Sequence, residues 1–297
     1  MGNAMIKERV KLPRVRDKRP ARFSLRGSIG IWAVLFFISA FMLLPFIYAI
    51  LQSLKPIEEI FAFPPRFFVR NPTFENYQKL FMLTDGIIPA SRYFANSIFV
   101  TVAGMFLAIV MSSLAAFPMA KYPFPGSKAL FALIIAALLF ATSTTAVPRY
   151  ILLANMGLID THWTILLPAI GAPLGLFLMK NFMSQISDAI LEAASIDGAG
   201  IIRSLTYIAL PMVKPALFTL GILNFQVLWN STDSSLYIFS ERLKLVPVVM
   251  TQISQSGMGR TGPYAAAIVF MMIPPLVIFI TTQVRVIETM AHSGIKG

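Results

Sequence analysis

The sequence predicts an all-α integral membrane protein with six transmembrane helices and one compact charged loop between the fourth and fifth. Three observations carry that prediction. Hydrophobic residues make up 57% of the 297 and charged residues only 13%, about half the charged share of a soluble globular domain. Six apolar runs approach or reach the roughly 20 residues that cross about 30 Å of hydrocarbon. Lysine and arginine are spread unevenly over the segments between those runs, as in a chain with a fixed orientation in the bilayer.

Residues 1–27 form a basic tail. Lys7, Arg9, Lys11, Arg14, Arg16, Lys18, Arg19, Arg22 and Arg26 supply nine of the 25 basic residues before the chain turns apolar. Much of the formal charge of +12 therefore sits beside a membrane segment, where topology and anionic lipid explain it better than nucleic acid does. The first run, 28–54, is too long for a signal-peptide core and has no small-residue cleavage site after it, so it is read as a mature helix. A long polar connection follows, and then runs 94–117, 129–147 and 162–182. Residues 183–214 form the loop. The fifth run, 215–230, is short and carries amides; the sixth is 264–285. A single transmembrane domain thus covers 28–290, with a short tail at 291–297.

With the amino terminus inside, cytoplasmic segments hold sixteen basic residues and outer segments nine, which places both termini and the loop in the cytoplasm. The chain has no cysteine, hence no disulfide, no thiolate nucleophile and no cysteine-ligated metal. All 13 carboxylates lie in tails, loops or helix ends, and neither His162 nor His292 is near a bilayer midplane. No ionisable group is placed to relay a proton across. The chain also lacks an HExxH pair, a Walker-type phosphate loop and a GxSxG elbow. No catalytic or metal-binding residue is expected, and energy for any work must come from another protein.

The loop contains EAASIDGAGIIRSLTYIALP, residues 192–211. Ser187 is placed to cap a short helix whose first residue, Asp188, suits the positive end of the helix dipole. Asp197, Gly198 and Gly200 supply a turn that ends it, and a second segment, 201–210, stops at Pro211 before Pro215 opens the fifth run. Glu192 offers a fixed charge, and Ala193 and Ala194 keep the helix thin enough for another surface to approach closely. An amphipathic connector lying on the membrane fits the same residues.

The spacing E-A-A, three residues, G, nine residues, I, one residue, L-P, carried by Glu192, Ala193, Ala194, Gly198, Ile208, Leu210 and Pro211, resembles the EAA loop of ABC importer permeases. SLKP at 53–56, NS at 96–97, YPFPG at 122–126, GLIDTHW at 157–163, WN at 229–230 and GIKG at 294–297 extend the likeness to the carbohydrate-uptake subfamily, the maltose transporter G subunit type. The resemblance implies a permease subunit in the inner or plasma membrane of a prokaryote. It also implies a second permease, two ATP-binding subunits that carry ATP and Mg, and an extracytoplasmic solute-binding protein. No cofactor is expected on this chain. Glu192, Ala193, Ala194 and Gly198, with Asp197 and Arg203 beside them, would dock into the ATPase. The chain departs from the pattern at Ser187 and at Ser234-Ser235, where proline is common, and at His292, where small residues are usual.

A carbohydrate path is sought on the fifth run. Phe225 and Trp229 fall about 40° apart around a helix, with Gln226 and Asn230 at about 100° and 140°. Aromatic faces cover sugar C–H surface while amides exchange hydrogen bonds with hydroxyls. The same amides equally suit bonds to neighbouring helices, and Asn224 points elsewhere. Thr144 and Thr145, in the run Thr142-Ser143-Thr144-Thr145, are a second candidate lining, with bonding to helix carbonyls as the alternative. Gly257 and Gly259, in a glycine-containing outer segment, are candidates for contact with the binding protein, or part of a plain surface loop. The cargo expected is an oligosaccharide, neutral or acidic. A membrane scaffold or receptor that recruits an ATPase without a pore, and a secondary carrier, are the other classes that fit.

Overall fold

The computed structural model describes residues 25–85, 88–140 and 144–293. The basic tail up to residue 24, Thr142, Ser143 and the terminal GIKG lie outside the described residues. Two compact units are distinguished, residues 1–47 and 48–297. In the first, helix α1 (Leu25–Ser53) begins a continuous run of 29 residues, about 44 Å at 1.5 Å per residue, and Pro45 is carried inside it.

The second unit takes up the end of α1. A single turn, α2 (Ile57–Ile60), and α3 (Glu75–Asp85) follow. Here Asn76 donates its amide to the carbonyls of Ser53 (2.8 Å) and Lys55 (2.7 Å), which closes off the end of α1.

Helix α4 (Ala90–Lys121) is the axis of this unit. Ser97, Thr101, Gly104, Ala108, Ser112 and Ala116 are buried along it. Small residues at three- and four-residue intervals make one flat face, the arrangement by which helices approach closely in lipid. At that face, a β-carbon on Gly175 would stand 2.4 Å from Ser112 Oγ.

The predicted third span is not one helix. Helix α5 (Ser127–Ala137) has 11 residues, about 16 Å, and gives way to turns at 138–140 before α6 (Ala146–Asn155). Thr144 and Thr145 come after that break, and Pro148 falls in the first turn of α6, where proline is tolerated.

Helices α7 (Trp163–Ile170) and α8 (Pro173–Ser184) join at Gly171-Ala172 and together count as one span. The loop follows as α9 (Asp188–Ile196) and α10 (Ile201–Ser204). From there the chain winds through a π-helical turn, Leu205–Ala209, into α11 (Leu210–Met212). The predicted stop at Pro211 is therefore not a stop. Proline lacks an N–H and its ring crowds the carbonyl four residues back. Just upstream the ladder lengthens, with the Leu210 N–H reaching the Leu205 carbonyl, five residues away. The chain then bends by 80° at Val213 into α12 (Lys214–Trp229). Helix α13 (Val246–Gln255) and the long α14 (Thr261–Ser293) complete the order.

Core residues gather at the two ends of α4. Tyr93 packs with Val246, Met250 and Ala266 at one end; Ala116 and Phe117 pack with Met179, Leu191, Leu205 and Leu220 at the other. Among the described residues, four helices are long and apolar enough to cross a membrane, five if the bent pair 201–229 is one span. The protein is an all-helical, multi-pass membrane protein.

Candidate functional site

The loop is built as a short rigid helix with a defined stop. Ser187 has the extended backbone of a cap residue (φ −66°, ψ 133°) but makes no side-chain capping bond. The fastening comes instead from Lys121, at the end of α4. Its ammonium donates to Asp188 Oδ1 (2.7 Å), to the Ser184 carbonyl (3.4 Å) and to the Ile186 carbonyl. At the other end, Gly198 adopts φ 83°. The Ala199 N–H then reaches the Ala194 carbonyl (2.9 Å) and the Gly198 N–H reaches the Ser195 carbonyl (3.1 Å), the paired bonds of a Schellman stop.

Glu192, Ala193, Asp197, Gly198 and Arg203 are exposed. Ala194 is different. It is 9% exposed and turns inward beside Leu191, so its small size serves packing beneath the loop, with only an edge on an open groove shared with Asp197, Arg203 and Tyr207. Sequence reasoning missed the apolar residues the loop displays: Ile196 is 87% exposed, Ile202 71% and Tyr207 77%, with Ile201 beside them. They were legible as large apolar residues in a segment assigned outside the membrane. The charged loop is therefore also a greasy one, and exposed apolar residues of this kind mark an interaction surface.

The expected sugar-facing residues are separated by the structure. Phe225 and Trp229 stack at 5.7 Å and 11°. Both are buried, Trp229 to 1% exposure, and the indole N–H donates to the Met271 carbonyl in α14 (3.1 Å). Trp229 is thereby packed against α14, and both rings are buried where the sequence expectation put them on a sugar path. Helical phase shows which residues share a face, not which neighbour that face meets. Gln226 and Asn230 lie exposed on the other side, and the Asn230 amide bonds the Gln226 carbonyl at 2.9 Å. Thr144 is exposed, while Thr145 Oγ1 accepts from Arg149 Nη2 (3.2 Å). Gly257 takes φ 104° and Gly259 sits in a short exposed turn, Met258–Arg260.

What the structure does bring together is a cavity of about 240 Å³ between α6, α7, α12 and the turn Asp233–Leu236. Apolar walls from Ile165, Pro168 and Leu228 meet Arg149, Asn224, Ser231, Asp233, Ser234 and Tyr237. Asn224 holds the Leu220 carbonyl (3.0 Å), so the residue expected to point elsewhere lines the space. Tyr237 stacks on Tyr150 at 6.2 Å. The hydroxyl of Ser234 is buried and has no hydrogen-bond partner among the described residues.

The wall that carries Ser234 and Tyr237 is pinned by Asp160, a non-glycine residue at φ 61°. Its N–H donates to the Tyr237 carbonyl (2.8 Å), and its carboxylate accepts from the N–H groups of Phe239 (2.9 Å) and Ser240 (2.8 Å) and from the Ser240 hydroxyl. That hydroxyl, and then the Ser240 amide, hold the Asp160 carboxyl below its ordinary range.

Cavity and loop occupy opposite ends of the same two helices. Pro173 at the start of α8 lines the cavity and the end of α8 leads into α9; α12 starts beside the loop and ends at the cavity. The 12 residues of α8 set them about 18 Å apart.

No protein-family model matches the chain. It is 28% identical over 300 residues to the diacetylchitobiose uptake system permease protein NgcG of Streptomyces coelicolor, covering 96% of this chain and 93% of that one. It is 30% identical over 223 residues to the protein LplC of Bacillus subtilis, covering 73% and 72%. Among solved structures it superposes with TM-score 0.74 on a chain of a bacterial ABC transporter that imports the acidic polysaccharide alginate, at 23% identity, over 88% of this chain and 98% of that one.

Proposed function

The chain belongs to the permeases of ATP-binding-cassette sugar importers, and from that premise we propose that it supplies half of a translocation pore, completed by a second, different permease. In this reading the membrane is crossed six times. The third crossing is made by α5 with the residues after it and the fifth by the bent pair 201–229, and both termini are cytoplasmic. The loop at 183–214 is then cytoplasmic as well.

The observation that carries the reading is the loop itself: a helix with a glycine-locked stop, fastened at its start by Lys121, that holds Ile196, Ile201, Ile202 and Tyr207 in the open. A soluble surface kept this greasy needs a partner. That partner is an ATP-binding subunit, and Glu192, Ala193, Asp197, Gly198 and Arg203 form its docking face, with Ala194 supporting it from beneath. Two such subunits hold ATP and Mg and carry out hydrolysis; this chain supplies no catalytic group. An extracytoplasmic solute-binding protein delivers a carbohydrate, an oligosaccharide by analogy with the diacetylchitobiose permease, and the segment around Gly257 and Gly259 meets it.

Co-purification tests the docking face. Glu192→Lys, Ile196→Asp and Gly198→Pro should insert in the membrane normally, lose the ATPase and lose uptake; wild-type uptake in all three would end the docking assignment. Tags before Lys7 and between Ile186 and Leu191 should be reachable only from the cytoplasm, and one near Gly259 only from outside.

A further inference from the structure

We propose that the cavity beside Ser234 is a binding subsite for one ring of an uncharged sugar, an inference that rests on the permease reading above. Three features argue for a ligand. Apolar walls combined with a few convergent polar groups are the usual make-up of a small-molecule site. The volume of about 240 Å³ falls below the roughly 300 Å³ at which sites for drug-sized ligands begin, which suits a single ring and not a chain. Finally, the cavity stands at the end of α8 and α12 away from the ATPase-docking loop, where arriving cargo would meet it.

The lining also states the class of sugar. Arg149 and Asp233 border the same space, so a carboxylate attracted by one is repelled by the other, and a cationic amine meets the reverse. A hydroxyl-rich neutral ring loses nothing to either. It can donate to Asp233 and to the Asn224 side-chain carbonyl oxygen, and accept from Arg149 and Ser231. Tyr237, already stacked on Tyr150, offers ring surface to the sugar C–H groups.

Because the chain has no cysteine, a single introduced thiol reports on the cavity within the intact transporter. Ser231→Cys lies on its wall; Thr232→Cys, exposed and outside the lining, is the control. Membrane vesicles with the complete complex are treated with N-ethylmaleimide in the presence of raffinose, maltotriose or trigalacturonate, the label on this chain is read by mass, and uptake of the same sugars is measured in parallel. At ten times the dissociation constant, a neutral trisaccharide should slow labelling of Ser231→Cys about tenfold by mass action and leave Thr232→Cys unchanged. Adding Asn224→Leu should abolish that protection with the complex still assembled. Neutral-sugar uptake without protection overturns the subsite and leaves the permease reading intact. Protection by trigalacturonate alone overturns the neutral class. Uptake of no carbohydrate at all overturns the permease reading and the subsite with it.

Discussion

Lys121 Nζ and Asp188 Oδ1 stand 2.7 Å apart, joining the last turn of α4 to the first turn of α9, with the lysine side chain 5% exposed and the aspartate 77%. The pair is unequal in consequence. Asp188→Asn removes one ion pair open to water, worth about 0–1 kcal/mol. Lys121→Met also strips the donor from the exposed Ser184 carbonyl and from the carbonyl of buried Ile186, the latter at about 1–3 kcal/mol for a buried acceptor left alone. Thermal unfolding of the assembled complex should rank Lys121→Met clearly below Asp188→Asn; equal midpoints would remove Lys121 as the fastening of the loop.

Gly198 tests the stop at the end of α9. A β-carbon there meets nothing within 4 Å, so Gly198→Ala acts through the backbone alone, at about 1–2 kcal/mol for a left-handed residue. Gly198→Asn should be milder, because asparagine tolerates that region better, and Gly198→Val worse. Uptake per assembled complex should follow the order Gly, Asn, Ala, Val, and a flat series would mean that the stop is not needed.

Acid should loosen the wall of the cavity. The Asp160 carboxyl is held below its ordinary value of 3.8 by the Ser240 hydroxyl and amide. A lowered value in the folded state means that its contribution is fully present above the ordinary range and is lost as pH falls through the lowered one. Asp160→Asn should therefore weaken the 237–240 segment at neutral pH and make its protease sensitivity nearly independent of pH between 2 and 6. The wild type should become sensitive only towards the bottom of that window.

The contact between Gly175 and Ser112 should behave as a lock between α4 and α8. Gly175→Ala drives a β-carbon to 2.4 Å from Ser112 Oγ and 3.3 Å from its Cβ, and such overpacking costs about 1–3 kcal/mol. Ser112→Gly in the same chain should restore most of the lost thermal stability. Failure of that rescue would show that the strain is relieved elsewhere.

Trp229→Ala should lower the yield of assembled complex, since emptying a buried aromatic site costs about 3–5 kcal/mol, and should spare uptake per complex. A fall in per-complex uptake with normal assembly would return Trp229 to the sugar path.

Four of the spans, 28–54, 94–117, 162–182 and 264–285, and the helix and stop of the loop were legible because each is written in consecutive residues. An apolar run announces a crossing, and Glu192, Asp197 and Gly198 announce a helix and its stop within seven positions. The cavity was not legible, because Arg149, Ile165 and Asn224 come from three separate helices and meet only through the packing of α6, α7 and α12. The burial of Phe225 and Trp229 was not legible, because their shared phase says nothing of α14. The third run was read as one helix because hydropathy registers an apolar stretch and not the break at 138–140 within it.

The π-helical turn at Leu205–Ala209 has an angular meaning. One surplus residue in a helix turns everything before it by about 100° relative to regular winding. Ile201, Ile202 and Arg203 therefore point where they do because of a single position upstream of Pro211. Removing one residue from that turn would keep the loop, its composition and its length nearly intact, yet rotate its apolar side chains out of azimuth with α12. The orientation of the loop's apolar side chains is thus set by a count of residues.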